Sequence, residues 1–255
     1  MTAFVQTPSL PKRCQVVILG EKYAEKLRNP LQTLQIETLL LPDNPFLDSR
    51  LSGHADLSVL HAGGEELLLA PYLKGSAFAA RLHKAGAALL FPDVSQGAVY
   101  PADAQFNVCI VGENILYNKR TVPSSVVESL TSEDRKPVNC RQGYARCAVC
   151  VVDEHALITA DRGIAAAAET AGLDVLLISP GFIRLDGFPY GFLGGAAFKL
   201  SENVMAFTGR LDAHPDQRRI LDYLEQRGIQ PLYLTEEDVF DIGCAIPILE
   251  GATSK

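Results

Sequence analysis

The residues best suited to chemistry in this chain flank its apolar segments. His54 and Asp56, two positions apart, precede one apolar run, and Gly243 and Cys244 precede another. Carboxylates, guanidinium groups, an imidazole and a thiol beside glycine backbone are the ingredients of a small-molecule pocket. Residues of these kinds precede apolar runs at His54, Asp56, Tyr144, Arg146, Gly194, Gly195, Asp241 and Cys244, and follow them at Glu21, Lys119, Arg120, Asp161, Arg162, Arg210 and Asp212.

A repeated order of elements indicates how these residues meet. Between Gly143 and Ser179, an apolar run at 145–152 and a second one after Asp153 and Glu154 predict a hairpin, and an alanine-rich helix then leads to a third strand. The same order recurs in three segments that begin at Leu57, Phe106 and Gly195, the last with its first strand predicted at 196–200. The hairpin turns lie 49, 41 and 48 residues apart, at Gly64, Glu113, Glu154 and Glu202. Spacing of this kind indicates a repeat architecture.

The two ends of the chain complete a fifth unit. A predicted strand at 244–249 has no partner after it, and a predicted strand at 16–19 has none before it. Pairing the two removes two open sheet edges, which proteins otherwise have to protect. The predicted fold is therefore a single α/β domain over residues 1–255. It is a five-unit, pseudo-fivefold α/β propeller of ββαβ repeats, closed by the N- and C-terminal segments, with residues 1–13 as an extended arm.

The geometry of the hairpins predicts where a site lies. In an antiparallel pair, the start of the first strand and the end of the second lie at the same end, so five such ends converge on one mouth of the ring. A long loop at 180–193 is aromatic and spaced by glycines, and loops of this length tend to be functional or lid-like. The alternative is that Phe182, Phe188 and Phe192 only cover apolar surface.

Composition argues against several classes of partner. The chain has 255 residues, 47% hydrophobic and 21% charged, which is enough apolar material for a sizeable core. The net charge of -7 and the scattered basic residues argue against nucleic-acid binding. The chain has no apolar run long enough to span a bilayer and no signal-peptide pattern, so we expect no membrane partner and a cytoplasmic location.

The cysteines and glycines predict neither a cofactor nor a metal. Six cysteines in a chain of this length suit a reducing compartment and not a disulfide scaffold. Cys147 and Cys150 are three positions apart in a predicted strand, so their side chains diverge, and a zinc site would need two further ligands. Gly191, Gly194 and Gly195 do not precede a predicted helix, so they form no dinucleotide fingerprint.

The order of the motifs resembles that of the guanidino-group modifying enzymes. A His-x-Asp motif at His54 leads into one inner strand, a Gly-Gly pair at Gly194 into another, and a Gly-Cys pair at Gly243 into the last. This fold is shared by arginine and agmatine deiminases, dimethylarginine hydrolases and amidinotransferases. More closely, the chain resembles an uncharacterised bacterial family assigned to the same fold. The matching stretches are GHADLSVLHAGG, GYARCAVCVVDEHALITADRGI, FLGGAAF, TGRLDAHPD and DIGCAIPIL.

The resemblance to these enzymes implies roles for individual residues. It implies Cys244 as the nucleophile that attacks the guanidinium carbon, His54 as the general acid and base, and Asp56 as a carboxylate that pairs with a cationic substrate. The residues expected to bind the substrate are Tyr144, Asp161, Arg162, Gly194, Gly195, Arg210 and Asp241, with Asp161 or Asp241 as the second carboxylate. The expected ligand is a small guanidino or amino-acid-like molecule.

The chain departs from the enzymes in two ways, and three functions stay open. Its His-x-Asp motif leads into the first complete unit instead of a middle one, and DIGCAI has less glycine and no adjacent histidine. A buried free cysteine also serves packing in many proteins. The first hypothesis is a cysteine-dependent hydrolase or transferase acting on C–N bonds other than peptide bonds. The second is a ligand-binding protein without the reaction. The third is an interaction protein, as the ribosomal anti-association factor has a similar five-unit ring.

Overall fold

The computed structural model describes residues 2–131 and 135–251, in which one order of elements recurs. The chain begins with β1 (Thr2–Phe4), β2 (Cys14–Gly20), α1 (Ala24–Thr33) and β3 (Glu37–Leu41). Unit one contains β4 (Val59–Gly63), β5 (Glu66–Leu69), α2 (Ala77–Lys84) and β6 (Ala88–Leu90). Unit two contains β7 (Cys109–Val111), β8 (Asn114–Tyr117), α3 (Ser124–Glu128) and β9 (Lys136–Asn139).

The second half of the chain continues the pattern. Unit three contains α4 (Ala145–Ala148), β10 (Val149–Val151), β11 (Ala156–Thr159), α5 (Arg162–Thr170) and β12 (Asp174–Leu177). Unit four contains α6 (Leu193–Ala196), β13 (Ala197–Ser201), β14 (Val204–Phe207), α7 (Gln217–Glu225) and β15 (Gln230–Tyr233), and β16 (Ile246–Gly251) follows. Single 3-10 turns span Glu21–Tyr23, Ala55–Leu57 and Pro71–Leu73. The predicted domain over 1–255 also includes residue 1, residues 132–134 and residues 252–255, which lie outside the described residues.

Strand pairing confirms the predicted fold class. Within the described residues there are five sheets, and in each unit the first two strands are antiparallel and the second and third are parallel. The fifth unit is built from both ends of the chain, because β16 pairs antiparallel with β2, and β2 pairs parallel with β3. Within the described residues, one α-helix lies between the second and third strands of every unit. The protein is therefore an α/β propeller of ββαβ units closed by its terminal segments.

Five clusters of buried apolar side chains each join two neighbouring units. Leu68 of unit one packs with Ile115 of unit two, and Ile18 of unit five packs with Val59 of unit one. Three further clusters join units two and three, three and four, and four and five. Closing the ring thus buries side chains that an open array would expose, and each such side chain contributes about 1.5–3 kcal/mol. No helix in the described ranges is long and apolar enough to cross a bilayer.

The N-terminal arm lies across the hairpin ends of the units. β1 pairs antiparallel with β16. Further along, Val5 O accepts the N–H of Gly64 in the first hairpin, Thr7 donates to Glu154 in the third, and Arg13 forms a bridge with the fourth. The arm therefore connects four units at the end of the ring opposite the predicted mouth.

Two inner strands are shorter than predicted, because a helical turn occupies their first residues. The strands predicted at 145–152 and 196–200 are preceded by α4 and α6, respectively. In α4, the N–H groups of Arg146 and Cys147 donate to Oδ1 of Asn107, at 2.7 and 3.3 Å, instead of to a neighbouring strand. A side chain from unit two therefore determines the backbone conformation at the start of unit three.

Gly194 is required because α6 packs directly on unit three. A Cβ on Gly194 would lie 2.2 Å from Val149 O and 2.6 Å from Cys147 O. We expect Gly194→Ala to lower the free energy of unfolding by about 3 kcal/mol, as measured by urea denaturation. Gly172→Ala is the control, because no atom lies within 4 Å of its Cβ and only a φ of 85° opposes the change, at about 1 kcal/mol. Equal losses in the two variants would contradict this packing.

Candidate functional site

The starts of two inner strands meet at Gly243. Its φ is 65°, and a Cβ there would lie 2.2 Å from Cβ of His54. Its carbonyl oxygen accepts the N–H of Asp56 at 3.0 Å. Cys244 also has a left-handed φ, of 65°, so the last inner strand begins at Ile246 and not at Cys244 as predicted. The backbone of unit five thus holds His54 and Asp56 of unit one at the mouth of the ring.

A cysteine, an aspartate and a histidine form a buried cluster at this position. The Cys147 thiol donates to Asp56 Oδ2 at 2.7 Å, and Asn107 Nδ2 lies 3.4 Å from the Cys147 sulfur. The Cys147 sulfur, an Asp56 oxygen and a ring nitrogen of His54 all lie within 4.8 Å of one another. The three residues are 3%, 1% and 2% exposed, respectively. Two of their atoms, His54 Nε2 and Asp56 Oδ1, have no hydrogen-bond partner among the described residues.

Asp241 is a second buried carboxyl beside this cluster. Its Oδ2 accepts the N–H of Phe192 and its Oδ1 accepts the N–H of Gly243, both at 2.8 Å. A Cβ on Gly195 would lie only 1.9 Å from Oδ1, so glycine is required there. Asp241 therefore connects the loop before unit four to the start of the last strand.

The predicted nucleophile, Cys244, contacts the chain's own arginine. Arg146 Nη2 donates to the Cys244 sulfur at 2.7 Å, and Arg146 Nη1 donates to Val149 O at 3.2 Å. The Cys244 thiol also bonds to Ala245 O at 3.1 Å and lies in the apolar cluster between units four and five. Burial raises the pKa of this thiol to about 12, although the Arg146 charge acts in the opposite direction. Cys244 is not among the described residues that line the cavity at the mouth.

That cavity has a volume of about 290 Å³, apolar walls and a polar floor. His54, Cys147 and Asp241 supply the polar groups at the floor. The walls consist of Leu51, Leu57, Tyr144, Leu185, Phe188, Pro189, Tyr190 and Phe192. Most of these wall residues belong to the loop at 180–193, so the loop forms part of the candidate site. The Tyr144 hydroxyl donates to Asp103 at 2.6 Å, which fixes one aromatic wall.

Burial shifts the pKa values of both carboxyls upwards. The pKa of Asp56 is raised to about 6 by burial, against the lowering effects of Cys147, Arg146 and Asn107. The pKa of Asp241 is raised to about 7 by burial and by the charge of Asp56, against two backbone hydrogen bonds. Arg146 is the one buried guanidinium described beside them, so ionisation of both carboxyls leaves one negative charge without a positive partner. A bound cation would compensate that charge and favour the ionised forms.

The histidine and the thiol are neutral near pH 7. Burial, with a contribution from Lys22, lowers the pKa of His54 to about 3. Burial and the charge of Asp56 raise the pKa of Cys147 well above its ordinary value. A neutral imidazole and a neutral thiol are able to exchange protons with a bound molecule, provided that the molecule changes their electrostatic surroundings.

Comparison with known protein families identifies the family to which this chain belongs. The sequence profile of a family of unknown function, DUF6873, matches residues 18–246. The chain belongs to this family. A comparison with curated proteins gives no match.

Several solved structures are similar along almost their whole length. An amidinotransferase from Microseira wollei in the saxitoxin biosynthetic pathway has a TM-score of 0.60 and 11% identity, covering 95% of this chain and 96% of that one. The inosamine-phosphate amidinotransferase from Streptomyces griseus has a TM-score of 0.58 and 10% identity, with coverages of 99% and 98%. An agmatine deiminase from C. jejuni with substrate bound has a TM-score of 0.55 and 9% identity, with coverages of 97% and 96%. This chain therefore has the fold of the guanidino-group modifying enzymes, as the motifs predict.

Other residues predicted for the site lie away from the cavity. Asp161 caps α5 by accepting the N–H of Ile164 at 2.8 Å, and Arg162 is exposed in the first turn of that helix. Arg210 is also at the surface, where it pairs with Asp212 at 2.6 Å. The structure brings together His54, Asp56, Tyr144, Gly195 and Asp241, and Gly194 supports them from α6.

Cys147, Asn107 and Asp103 are site residues that the sequence reasoning missed. The one sequence signal that Cys147 belongs to the site is its position. It follows Arg146 at the start of an apolar run, and that start is predicted to lie near the mouth. The continuous strand predicted through 145–152 gives Cys147 no role in the site. Asn107 and Asp103 act through contacts with distant residues, for which a single sequence has no pattern.

Burial of neutral His54 makes stability depend on pH. Its folded pKa of about 3 lies below the ordinary value of about 6.5, so at this residue only the unfolded chain binds the proton between these values, and the contribution of His54 to stability falls as pH decreases. Between pH 7 and 4.5 we expect the free energy of unfolding to fall by about 2 kcal/mol less in His54→Asn than in the wild type, as measured by urea denaturation at both pH values. His83→Asn, at an exposed histidine, is the control. Parallel pH profiles for wild type and His54→Asn would contradict the buried neutral state.

Proposed function

We propose that the protein is a cysteine-dependent hydrolase or transferase that acts on a C–N bond of a guanidino or amidino compound. The observation that carries the proposal is the Cys147 thiol, 2.7 Å from an Asp56 oxygen and grouped with the His54 ring at the floor of an apolar cavity. A thiol beside a carboxylate and an imidazole is an arrangement suited to nucleophilic catalysis.

The charge of the site supports a cationic substrate. When both are ionised, Asp56 and Asp241 carry one more charge than Arg146 offsets, and a bound cation favours that ionised state. An amidinium or guanidinium group is a planar cation with several N–H donors, and Asp56 Oδ1 is a buried acceptor without a partner among the described residues. Such a group would compensate that charge. Asp56 is not among the described residues that line the cavity, so the group would reach its free oxygen from beside Cys147, which does line it.

Each group in the cluster then has a step in the reaction. The bound cation lowers the pKa of the Cys147 thiol, whose proton passes to Asp56, its hydrogen-bond acceptor. The thiolate adds to the central carbon of the substrate. One C–N bond breaks, and the departing nitrogen takes the proton from Asp56. A water molecule or an acceptor amine then gives a proton to His54 as its oxygen or nitrogen attacks the amidino carbon on Cys147. The C–S bond breaks and the thiolate takes the proton back from His54. In the reaction with water, the protonated urea-type product releases its extra proton to solvent.

Cys147 is better placed for this role than Cys244. Arg146 donates to the Cys244 sulfur at 2.7 Å, so a second guanidinium at Cys244 would meet a like charge. Cys147 lines the cavity, and its nearest charged partner is a carboxylate. The assignment of the nucleophile to Cys244 stays a prediction, and the same experiment tests both cysteines.

We expect a haloacetamidine, a cation with an alkylating carbon, to modify Cys147. Because the site favours cations, this reagent should react about tenfold faster than the neutral haloacetamide, corresponding to 1.4 kcal/mol of binding. Intact mass and peptide mapping measure the extent and position of labelling. Cys147→Ala should abolish rapid labelling.

Two variants control for general thiol reactivity. Cys150→Ala removes a cysteine that is buried between units three and four, and should label like the wild type. Cys244→Ala should also label like the wild type. Labelling at Cys244, or equal rates for the charged and neutral reagents, would overturn the assignment of Cys147.

The walls of the cavity favour a substrate with an apolar body. The described residues that line it include no lysine or arginine, so an α-carboxylate would have no cationic partner there. Phe188 is held in place by the Arg50 guanidinium, 4.4 Å from its ring centroid. We therefore propose an alkyl or aryl amidine or guanidine as the substrate class, in preference to free arginine.

We expect hexylguanidine to bind more tightly than arginine, because its alkyl chain buries against the aromatic walls. Phe188→Ala should weaken hexylguanidine binding about tenfold, as measured by calorimetry. Phe182→Ala is the matched control, because Phe182 belongs to the same loop but is 45% exposed and packs on His214. Arginine binding as tight as that of hexylguanidine would refute an apolar substrate.

Binding without reaction is the second candidate function. The raised pKa of the Cys147 thiol and the contact between Cys244 and Arg146 both favour an unreactive site. In this case guanidines would stabilise the protein without being consumed, and Cys147 would not be labelled.

The six cysteines are all unpaired and buried, which supports a reducing, cytoplasmic location for either function.

A further inference from the structure

The cluster at the cavity floor combines three kinds of metal ligand. A ring nitrogen of His54, a carboxylate oxygen of Asp56 and the sulfur of Cys147 all lie within 4.8 Å of one another. Imidazole, carboxylate and thiolate are the groups by which proteins bind zinc. We propose that these three residues bind a divalent transition-metal ion, for which Zn²⁺ has the most suitable ligand preferences.

The hydrogen-bonding of the cluster is independent support for a ligand. His54 Nε2 and Asp56 Oδ1 are buried and have no partner among the described residues. Buried polar atoms are nearly always paired in folded proteins, because an unpaired one costs about 1–3 kcal/mol. These residues are 2% and 1% exposed, so bulk water does not solvate them. A bound metal would be coordinated by lone pairs of His54 Nε2 and Asp56 Oδ1, which accept no hydrogen bond from the described residues.

The charges balance when a divalent ion is bound. With a divalent ion bound, ionised Asp56, Asp241 and Cys147 would carry three negative charges, and the metal and Arg146 would carry three positive charges. Binding replaces the S–H bond by a metal–sulfur bond and releases the thiol proton to solvent. The hydrogen bond from Cys147 to Asp56 Oδ2 is lost in this step, since the sulfur has given up the proton that it donates.

Asn107 connects the parts of the site that come from different units. His54 and Asp56 belong to the start of unit one, and Cys147 belongs to the start of unit three. The Asn107 side chain accepts the N–H of Cys147 at 3.3 Å, and its Nδ2 lies 3.4 Å from the Cys147 sulfur and 3.5 Å from Asp56 O. Contacts of this kind orient metal ligands in proteins.

The site has three protein ligands, which is the number found in zinc sites that keep one position open. His54 and Cys147 both line the cavity, so a fourth ligand would reach the ion from there. Cys150 is not a ligand in this site, because it packs in the core between units three and four. The metal also excludes thiol chemistry, since it occupies the sulfur that would attack a substrate.

Binding of Co²⁺ to the full chain tests this proposal. After treatment with a chelator and its removal, we expect one equivalent of Co²⁺ to produce thiolate-to-cobalt charge-transfer absorption, and Zn²⁺ to abolish it by displacement. Cys147→Ser should lose the absorption, and Cys150→Ser should retain it. Asp56→Asn keeps the sulfur, so it should retain the absorption but bind the metal about 10–100-fold more weakly. Circular dichroism of each variant establishes that it is folded.

The results that overturn the metal site differ from those that overturn the proposed enzyme. Absence of the charge-transfer band in the wild type, or its persistence in Cys147→Ser, removes the metal site whatever the labelling experiment gives. Rapid labelling of Cys147 by the haloacetamidine in the presence of a chelator supports the enzyme alone. A metal-dependent band without labelling supports the metal site alone. When both are observed, Zn²⁺ should slow labelling of Cys147 in proportion to its occupancy.

Discussion

The pairing of β16 with β2 is the constraint on which the rest of the structure depends. These strands come from opposite ends of the chain, yet they pair antiparallel, as the first two strands do in every other unit. Their apolar side chains, such as Ile18 and Ile246, pack against unit one. The same closure brings Gly243 against His54 and lets its carbonyl accept the N–H of Asp56. The contact that completes the core therefore also assembles the site.

Close backbone contacts at the mouth explain how two carboxyls can be buried there. Burial alone strongly favours a neutral carboxyl, whereas N–H donors favour the charged form. Asp241 receives two backbone N–H groups and Asp56 receives the Cys147 thiol. The opposing effects leave their pKa values at about 7 and about 6. Each group is thus near the balance between charged and neutral forms, so a bound cation changes its protonation.

The spacing of apolar runs is sufficient to predict the units, because strand alternation, turns and helix ends are local properties. It also identifies His54 and Asp56, which stand immediately before a strand. It does not predict α4, since that turn depends on Asn107, 39 residues from Arg146 along the chain. Without α4, Cys147 belongs to a strand and has no role. The sequence is equally unable to predict the backbone conformation at Cys244, which has a left-handed φ that residues other than glycine rarely adopt.

Arg146 determines which cations the site can hold, and where. It is buried, and the hydrogen bonds of its guanidinium described above go to Cys244 and Val149 O, neither of which is a carboxylate. Its charge offsets one of the two carboxylates and repels a second cation from the Cys244 side, so an incoming cation is directed to Cys147. An amidinium compensates the remaining charge while the Cys147 proton stays within the cluster, on the sulfur or on Asp56, whereas a divalent metal does so only after that proton has left for solvent. The two occupants therefore differ by one proton in the site. Acidic conditions therefore favour the amidinium over the metal, because metal binding must release that proton.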